Sequence, residues 1–167
     1  MLARRSVYSS DSVSLELAEV ELPDGTRLAH HIVRSQFDLV AVVVRSERGV
    51  LCLRRHRFIP ERWVWDVPAG KIRAGEDVVD AAVRASVEET GWRPAAVRVV
   101  TSYYPLPGTS DQRVRICVAE TAEQIDAPDP NEVERVEWIE PDRVRELIQG
   151  GEVDGPSLVA LLWTLAE

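Results

Sequence analysis

The stretch from Gly70 to Trp92, GKIRAGEDVVDAAVRASVEETGW, constrains this chain more than any other segment. Gly70 and Gly75 permit backbone turns that residues carrying a Cβ resist. Asp77 is placed to cap a helix, with Glu76 and Asp80 putting negative charge where the helix dipole favours it. Gly91 stands where a left-handed residue usually ends a helix. The spacing predicts a helix of about fourteen residues between those marks.

That helix has two faces. On a helical wheel Val79, Ala82, Val83, Ser86, Val87 and Thr90 share a mostly apolar side, expected to be buried. Ala81, Ala85, Glu88 and Glu89 fall on another. Adjacent carboxylates repel one another unless a cation or basic groups offset them. Hard divalent cations such as Mg²⁺ take oxygen ligands and share them with substrate phosphates. The plainer alternative is a solvated acidic helix end.

The spacing resembles the Nudix hydrolase signature, G-x5-E-x7-R-E-U-x-E-E-x-G-U, with U a bulky apolar residue. Gly70, Glu76, Arg84, Glu88, Glu89, Gly91 and Trp92 match it in register. Ala85 and Ser86 depart from it, at a glutamate and at an apolar position. The resemblance implies an α+β fold, a Nudix-type α/β/α sandwich with a mixed sheet and an N-terminal antiparallel hairpin. It further implies an Mg²⁺-dependent hydrolase, with Mn²⁺ able to substitute, and the missing glutamate is usually a metal ligand. A methyl group cannot replace it, and losing one electrostatic group of this kind costs on the order of 10²–10³-fold in rate.

Composition narrows the partners. The chain has 167 residues, 45% hydrophobic and 29% charged, which suits one soluble globular domain. A net charge of −8 argues against a general nucleic-acid or anionic-membrane surface. It suits a site that meets polyanions through bound cations. Cys52 and Cys117 lack metal-site spacing and read as reduced core residues. With no apolar leader or membrane-length run, a cytoplasmic location is expected.

The organisation expected is a single domain over 1–167, with a hairpin in 1–36 and a core in 37–167. Residues 12–22 alternate and then slip phase, predicting a strand with a bulge, and 26–34 return from the turn at Pro23-Asp24-Gly25. In the ADP-ribose-cleaving branch of the family such a sheet often packs on a second subunit, so the resemblance implies a homodimer. His30 and His31 are strand neighbours pointing to opposite faces, and are read as structural. Residues 38–45, DLVAVVVR, predict a strand buried on both faces.

A basic cluster follows at Arg54, Arg55, His56 and Arg57. Planar guanidiniums suit bidentate phosphate contacts, although a basic run is often only a solvated surface. The same branch carries an arginine before the box; Arg57 matches it best and Arg54 second. Trp65-Asp66-Val67-Pro68-Ala69-Gly70 resembles the branch's W-E-x-P-A-G approach, where the carbonyl at the Ala69 position binds metal. Trp63 or Trp65 offers a face for a base, with core packing the expected fate of at least one. Leu106-Pro107-Gly108 through Gln112 resembles the branch's substrate-pocket loop, with Gln112 in place of a glutamate. On the later acidic loop, Glu132 matches the glutamate that completes the metal site or orients water, with Glu134 as alternative.

The expected site therefore has Glu88, Glu89 and Glu132 as catalytic groups, and Ala69, Glu88 and Glu89 on metal. Arg54, Arg57 and Gln112 would meet a nucleoside diphosphate linked to another moiety, of the ADP-ribose or nucleotide-sugar class. The alternative is a weakened Nudix-fold protein that binds a nucleotide-like ligand as a sensor or regulator.

Overall fold

The structure, a computed structural model, describes residues 1–130 and 133–166. Three N-terminal strands, β1 (Ala3–Ser9), β2 (Val13–Glu21) and β3 (Arg27–Ser35), form an antiparallel sheet, in which β2 and β3 make the expected hairpin and β1 adds a third strand. β1 is exposed along its whole length, so it has no buried face to impose an alternating pattern. The phase slip expected of β2 is absent, because it pairs with β3 in unbroken register from Val13 to Glu21. The irregularity lies across the other edge, between Ser6 and Tyr8 of β1.

The core sheet is mixed. Its path runs β12 (Arg135–Ile139), β5 (Gly49–Arg57), β4 (Leu39–Ser46), β10 (Val114–Ala119) and β9 (Arg98–Tyr103). β4 and β10 are parallel and the other pairs antiparallel. Two short strands pair off this path, β6 (Arg62–Asp66) on β5 and β7 (Ala69–Lys71) on β4. β8 (Trp92–Ala95) and β11 (Thr121–Gln124) make a separate ribbon.

The alternation of β4 divides the core. Val40, Val42 and Val44 join Ala81 and Ala82 of α1 (Val78–Thr90) in one apolar cluster. Ala41 and Val43 join the other, with Val144 and Leu147 of α2 (Pro141–Gln149) and Ala160 and Leu161 of α3 (Gly155–Ala166). Helices therefore cover both faces, which is why the strand reads as a continuous apolar run. The α/β/α sandwich implied by the resemblance is the fold found.

The caps of α1 form as expected. Asp77 accepts from Val79 N–H at 2.8 Å, and Gly91 ends the helix at φ 74° with its N–H on the Val87 carbonyl. The buried face differs from expectation. Ala81, Ala82, Ala85, Ser86, Glu89 and Thr90 are buried, while Val79, Val83 and Val87 are only partly covered. Small side chains lie inward because α1 sits close on β7: a Cβ on Gly70 would stand 3.1 Å from that of Ala85.

The loop before α1 is fixed by Glu76 and Arg84. Arg84 Nε donates to Glu76 at 2.7 Å, and its Nη2 reaches the Lys71 carbonyl at 2.7 Å. Arg73 N–H donates to the same carboxylate at 2.8 Å. Arg84 first, and the Arg73 N–H second, hold the Glu76 carboxyl down at about 2 from an ordinary 4.5.

Two predictions follow from these contacts. Gly91→Ala should destabilise the fold far more than Gly75→Ala. Both glycines have positive φ, but a Cβ on Gly91 would lie 2.1 Å from the Asp126 carbonyl oxygen, and one on Gly75 meets nothing within 4 Å. The Gly75 change should cost about 1 kcal/mol, and thermal melts of the two variants test the ordering. For Glu76, a depressed folded value stabilises fully above the unfolded one. That contribution is lost as pH falls from about 4.5 toward 2. Urea denaturation should show Glu76→Gln less stable than wild type near neutrality, with the gap closing at acid pH.

Candidate active site

Strand periodicity decides which arginines reach the site. On β5, Arg55 and Arg57 point to the face where both meet Asp66: Arg55 Nε lies 3.4 Å from its Oδ2, and Arg57 forms a short ion pair with the same oxygen. Arg54 and His56 occupy the opposite face. There Arg54 pairs with Glu134 at 2.7 Å and lies over the Trp63 ring, while His56 packs edge-on to Trp63. The structure thus places Arg54 on neither of the cavities described below, and Glu134, the alternative loop glutamate, is held by that arginine. Arg55, passed over in the sequence, has the parity of Arg57 and was legible from it.

Asp66 is almost fully buried, and its second oxygen accepts from Ser157 Oγ at 2.9 Å. Ser157 lies in the first turn of α3 and in turn accepts from Val67 N–H at 3.1 Å. A carboxylate there is favoured by the helix dipole as well as by two guanidiniums. Trp65 is buried in the core and Trp63 half-exposed, so core packing takes one of the two indoles.

Glu88 and Glu89 are neighbours on α1 with different surroundings. Glu89 is buried; one oxygen accepts Ala69 N–H at 2.8 Å and the other lies 2.6 Å from Arg55 Nη2. Burial pushes its carboxyl above the usual range, against the opposing pull of the Arg55 charge and the Ala69 N–H. Glu88 is half-exposed and held by Arg84 at 2.9 Å and Arg73 at 3.3 Å.

Two cavities meet along this wall. One, of about 550 Å³, is lined by Ala69, Arg73, Ala85, Glu88, Glu89 and Asp129 among others. The second, of about 460 Å³, has Arg55, Arg57, Asp66 and Ser157 in its lining, with exposed Phe58 and Ile59 beside them. Ala69, Gly70, Lys71 and Glu89 border both. Ala69, Ala85, Glu88 and Glu89 are therefore brought together, and Arg57 stands next to them. Asp129 was missed because an acidic loop gives no periodicity by which to choose among its carboxylates.

Gln112 stands apart from that group. Gln112 Nε2 donates to Ser35 Oγ at 2.9 Å, in a loop sewn to β3 by Val33 N–H on the Thr109 carbonyl and by Asp111 on Arg34. Its amide is satisfied there and lines neither cavity. His30 also serves this seam, with Nε2 2.7 Å from the Gly108 carbonyl oxygen. Glu132 lies outside the described residues.

Among the described residues no three His, Cys, Asp or Glu side chains converge as a ready metal cage. The donors on the acidic wall are nonetheless hard oxygens, from two carboxylates of one helix with Asp129 lining the same cavity. That set fits Mg²⁺, which keeps several waters and commonly takes one or two carboxylates together with substrate phosphates.

The model of the NUDIX domain family matches residues 36–161. A CMP-5'-(N-acetyl-N-hydroxy-3-aminopropyl)phosphonate hydrolase from Streptomyces rubellomurinus is 34% identical over 148 residues, covering 88% of this chain and 72% of that protein. An ADP-ribose pyrophosphatase from Bacillus subtilis is 27% identical over 139 residues, 83% of this chain and 74% of its own length. A crystal structure of an ADP compounds hydrolase superposes with a TM-score of 0.86 at 19% identity, over 98% of this chain and 90% of that one, a likeness of fold. The chain belongs to the Nudix family of hydrolases and is similar to its ADP-ribose pyrophosphatases.

Proposed function

We propose that this protein hydrolyses the phosphoanhydride bond of a nucleoside diphosphate linked to a second group, of the ADP-ribose or nucleotide-sugar class, with Mg²⁺ or Mn²⁺ bound. The observation that carries the reading is the shared wall. A cavity with Glu88, Glu89 and Asp129 joins one with Arg55 and Arg57 through Ala69–Lys71. A diphosphate lying across that wall meets the acidic half on one side and guanidiniums on the other. The relatives support it, since a nucleotide joined to another group is named in both the ADP-ribose pyrophosphatase and the CMP-linked phosphonate hydrolase.

Glu88, Glu89 and the Ala69 carbonyl would supply the oxygens for the divalent ion, with Glu132 as a further candidate. When bound, the ion offsets negative charge developing on the phosphoryl oxygens. Arg57 holds phosphate, and Arg55 keeps the Glu89 carboxylate oriented. Water forms a bond to phosphorus as the bridging P–O bond breaks, the departing phosphate keeping that bond's electron pair and the water's proton passing to solvent. Arg84 and Glu76 fix the loop and do not touch substrate.

A homodimer formed through the N-terminal sheet is supported by exposed Val7, Tyr8 and Leu28 on its strands. A cytoplasmic location is supported by two unpaired, buried cysteines. No described helix is long and apolar enough to cross a membrane.

Ala85 favours a second reading, in which turnover is weak and the protein senses a nucleotide-like ligand. Ala85 sits on the acidic wall, where its methyl group supplies no ligand. A phosphate-coupled screen of ADP-ribose, nucleotide sugars and CMP-linked phosphonates with Mg²⁺ or Mn²⁺ separates the two. Wild type is expected to turn over at least one class, and Ala85→Glu to raise kcat by up to on the order of 10²-fold. Turnover only in Ala85→Glu, or ligand binding without turnover in either, would favour the sensor. Glu88→Gln should lower kcat on the order of 10²-fold or more, measured on the same substrate.

A further inference from the structure

Arg55 puts a permanent positive charge into the wall where a Nudix site gathers negative ones. Its side chain is 12% exposed, with Nη2 at 2.6 Å from Glu89 and Nε at 3.4 Å from Asp66. Both nitrogens are buried, and neither reaches hydrogen-bond geometry with an acceptor. The guanidinium thus acts on both carboxylates chiefly as a charge, not as a bidentate fork. The remaining Glu89 oxygen is taken by Ala69 N–H. One helical turn earlier, Ala85 withholds a carboxylate from the same wall.

The inner wall is therefore balanced before any ion arrives. Glu89 and Asp66 face Arg55 and Arg57, two charges against two. A divalent ion seated on Glu89 would have to displace Arg55 or lie beside it as a like charge.

We propose that Arg55 is a built-in cation that takes over the neutralisation of buried Glu89, so that a divalent ion is held from the side of half-exposed Glu88, in competition with the Arg84 and Arg73 contacts of that carboxylate. The ion is then single and weakly held until a diphosphate brings further oxygens. This rests on the phosphoanhydride reading, in which the acidic cavity is the metal site, and it narrows the donor set given there. Arg55 acts through Glu89 without touching phosphorus, which makes it a positioning residue.

Mn²⁺ alone is the probe, with free ion followed by electron paramagnetic resonance in the full chain near neutral pH and without substrate. Wild type is expected to hold no more than one equivalent. R55Q should bind Mn²⁺ on the order of tenfold more tightly, or take up a second equivalent, the size of effect that groups behind metal ligands exert. R55K, which keeps the charge, should match wild type. Two equivalents in wild type overturn the proposal, as does unchanged or weaker binding in an R55Q that melts cooperatively. If R55Q does not fold, wild type and R55K decide: no more than one equivalent in both supports the assignment, and two in either overturns it. Failure to hydrolyse any substrate in the screen would count against the functional reading, leaving the ion titration to judge Arg55 by itself.

Discussion

The Glu89 carboxylate, buried at the seam between α1, β7 and β5, is what the rest of the site is arranged around. An ionised group taken out of water is tolerated only when its oxygens are met, and removing one partner of such a pair typically costs about 3–5 kcal/mol. Ala69 N–H and the Arg55 guanidinium meet them here, from two different strands. The contact needs α1 to lie close on β7, and the small residues along its inner face allow that. Gly70 has room for no more than light contact with Ala85, so the helix and strand are near their limit of approach. Close packing and a buried charge thus depend on one another.

The same economy of contacts governs the second cavity. Asp66 is nearly inaccessible, and is met by Arg55, Arg57 and the Ser157 hydroxyl. Ser157 also receives Val67 N–H, so the chain entering the box is pinned to the first turn of α3. Elsewhere, the loop through Gly108 to Gln112 is fastened to the N-terminal sheet at His30, Val33, Arg34 and Ser35. That sheet is thereby joined to the core through side chains as well as through the chain from β3 to β4.

Much of this was legible in the sequence wherever one local rule governed a residue. Asp77 and Gly91 mark the ends of α1 because capping and left-handed φ are local matters, and β4 declares itself because both of its faces are buried. Longer-range choices were not legible in the same way. β1 is exposed throughout, so nothing in its pattern distinguishes strand from tail. Arg54 and Arg57 looked alike as phosphate ligands until pairing with β6 fixed which parity of β5 faces Asp66. Gln112 stood at a family position, but Ser35, far away in sequence, satisfies its amide. Glu88 and Glu89 read as one acidic pair, though the fold buries one and leaves the other half in water.

The charge balance of the wall bears on how a polyanion can enter at all. The chain carries a net −8, which repels a diphosphate at long range. Within the site, however, Glu76, Glu88, Glu89 and Asp66 each have an arginine within ion-pair distance. Such a wall neither draws in a dication strongly on its own nor repels phosphate outright. It suits a ligand that arrives with its cation already attached, since the missing carboxylate at Ala85 then matters less for capture than for holding charge during bond cleavage. On that argument the departure at Ala85 and the guanidinium of Arg55 belong together: one removes a negative charge and the other answers a negative charge that remains.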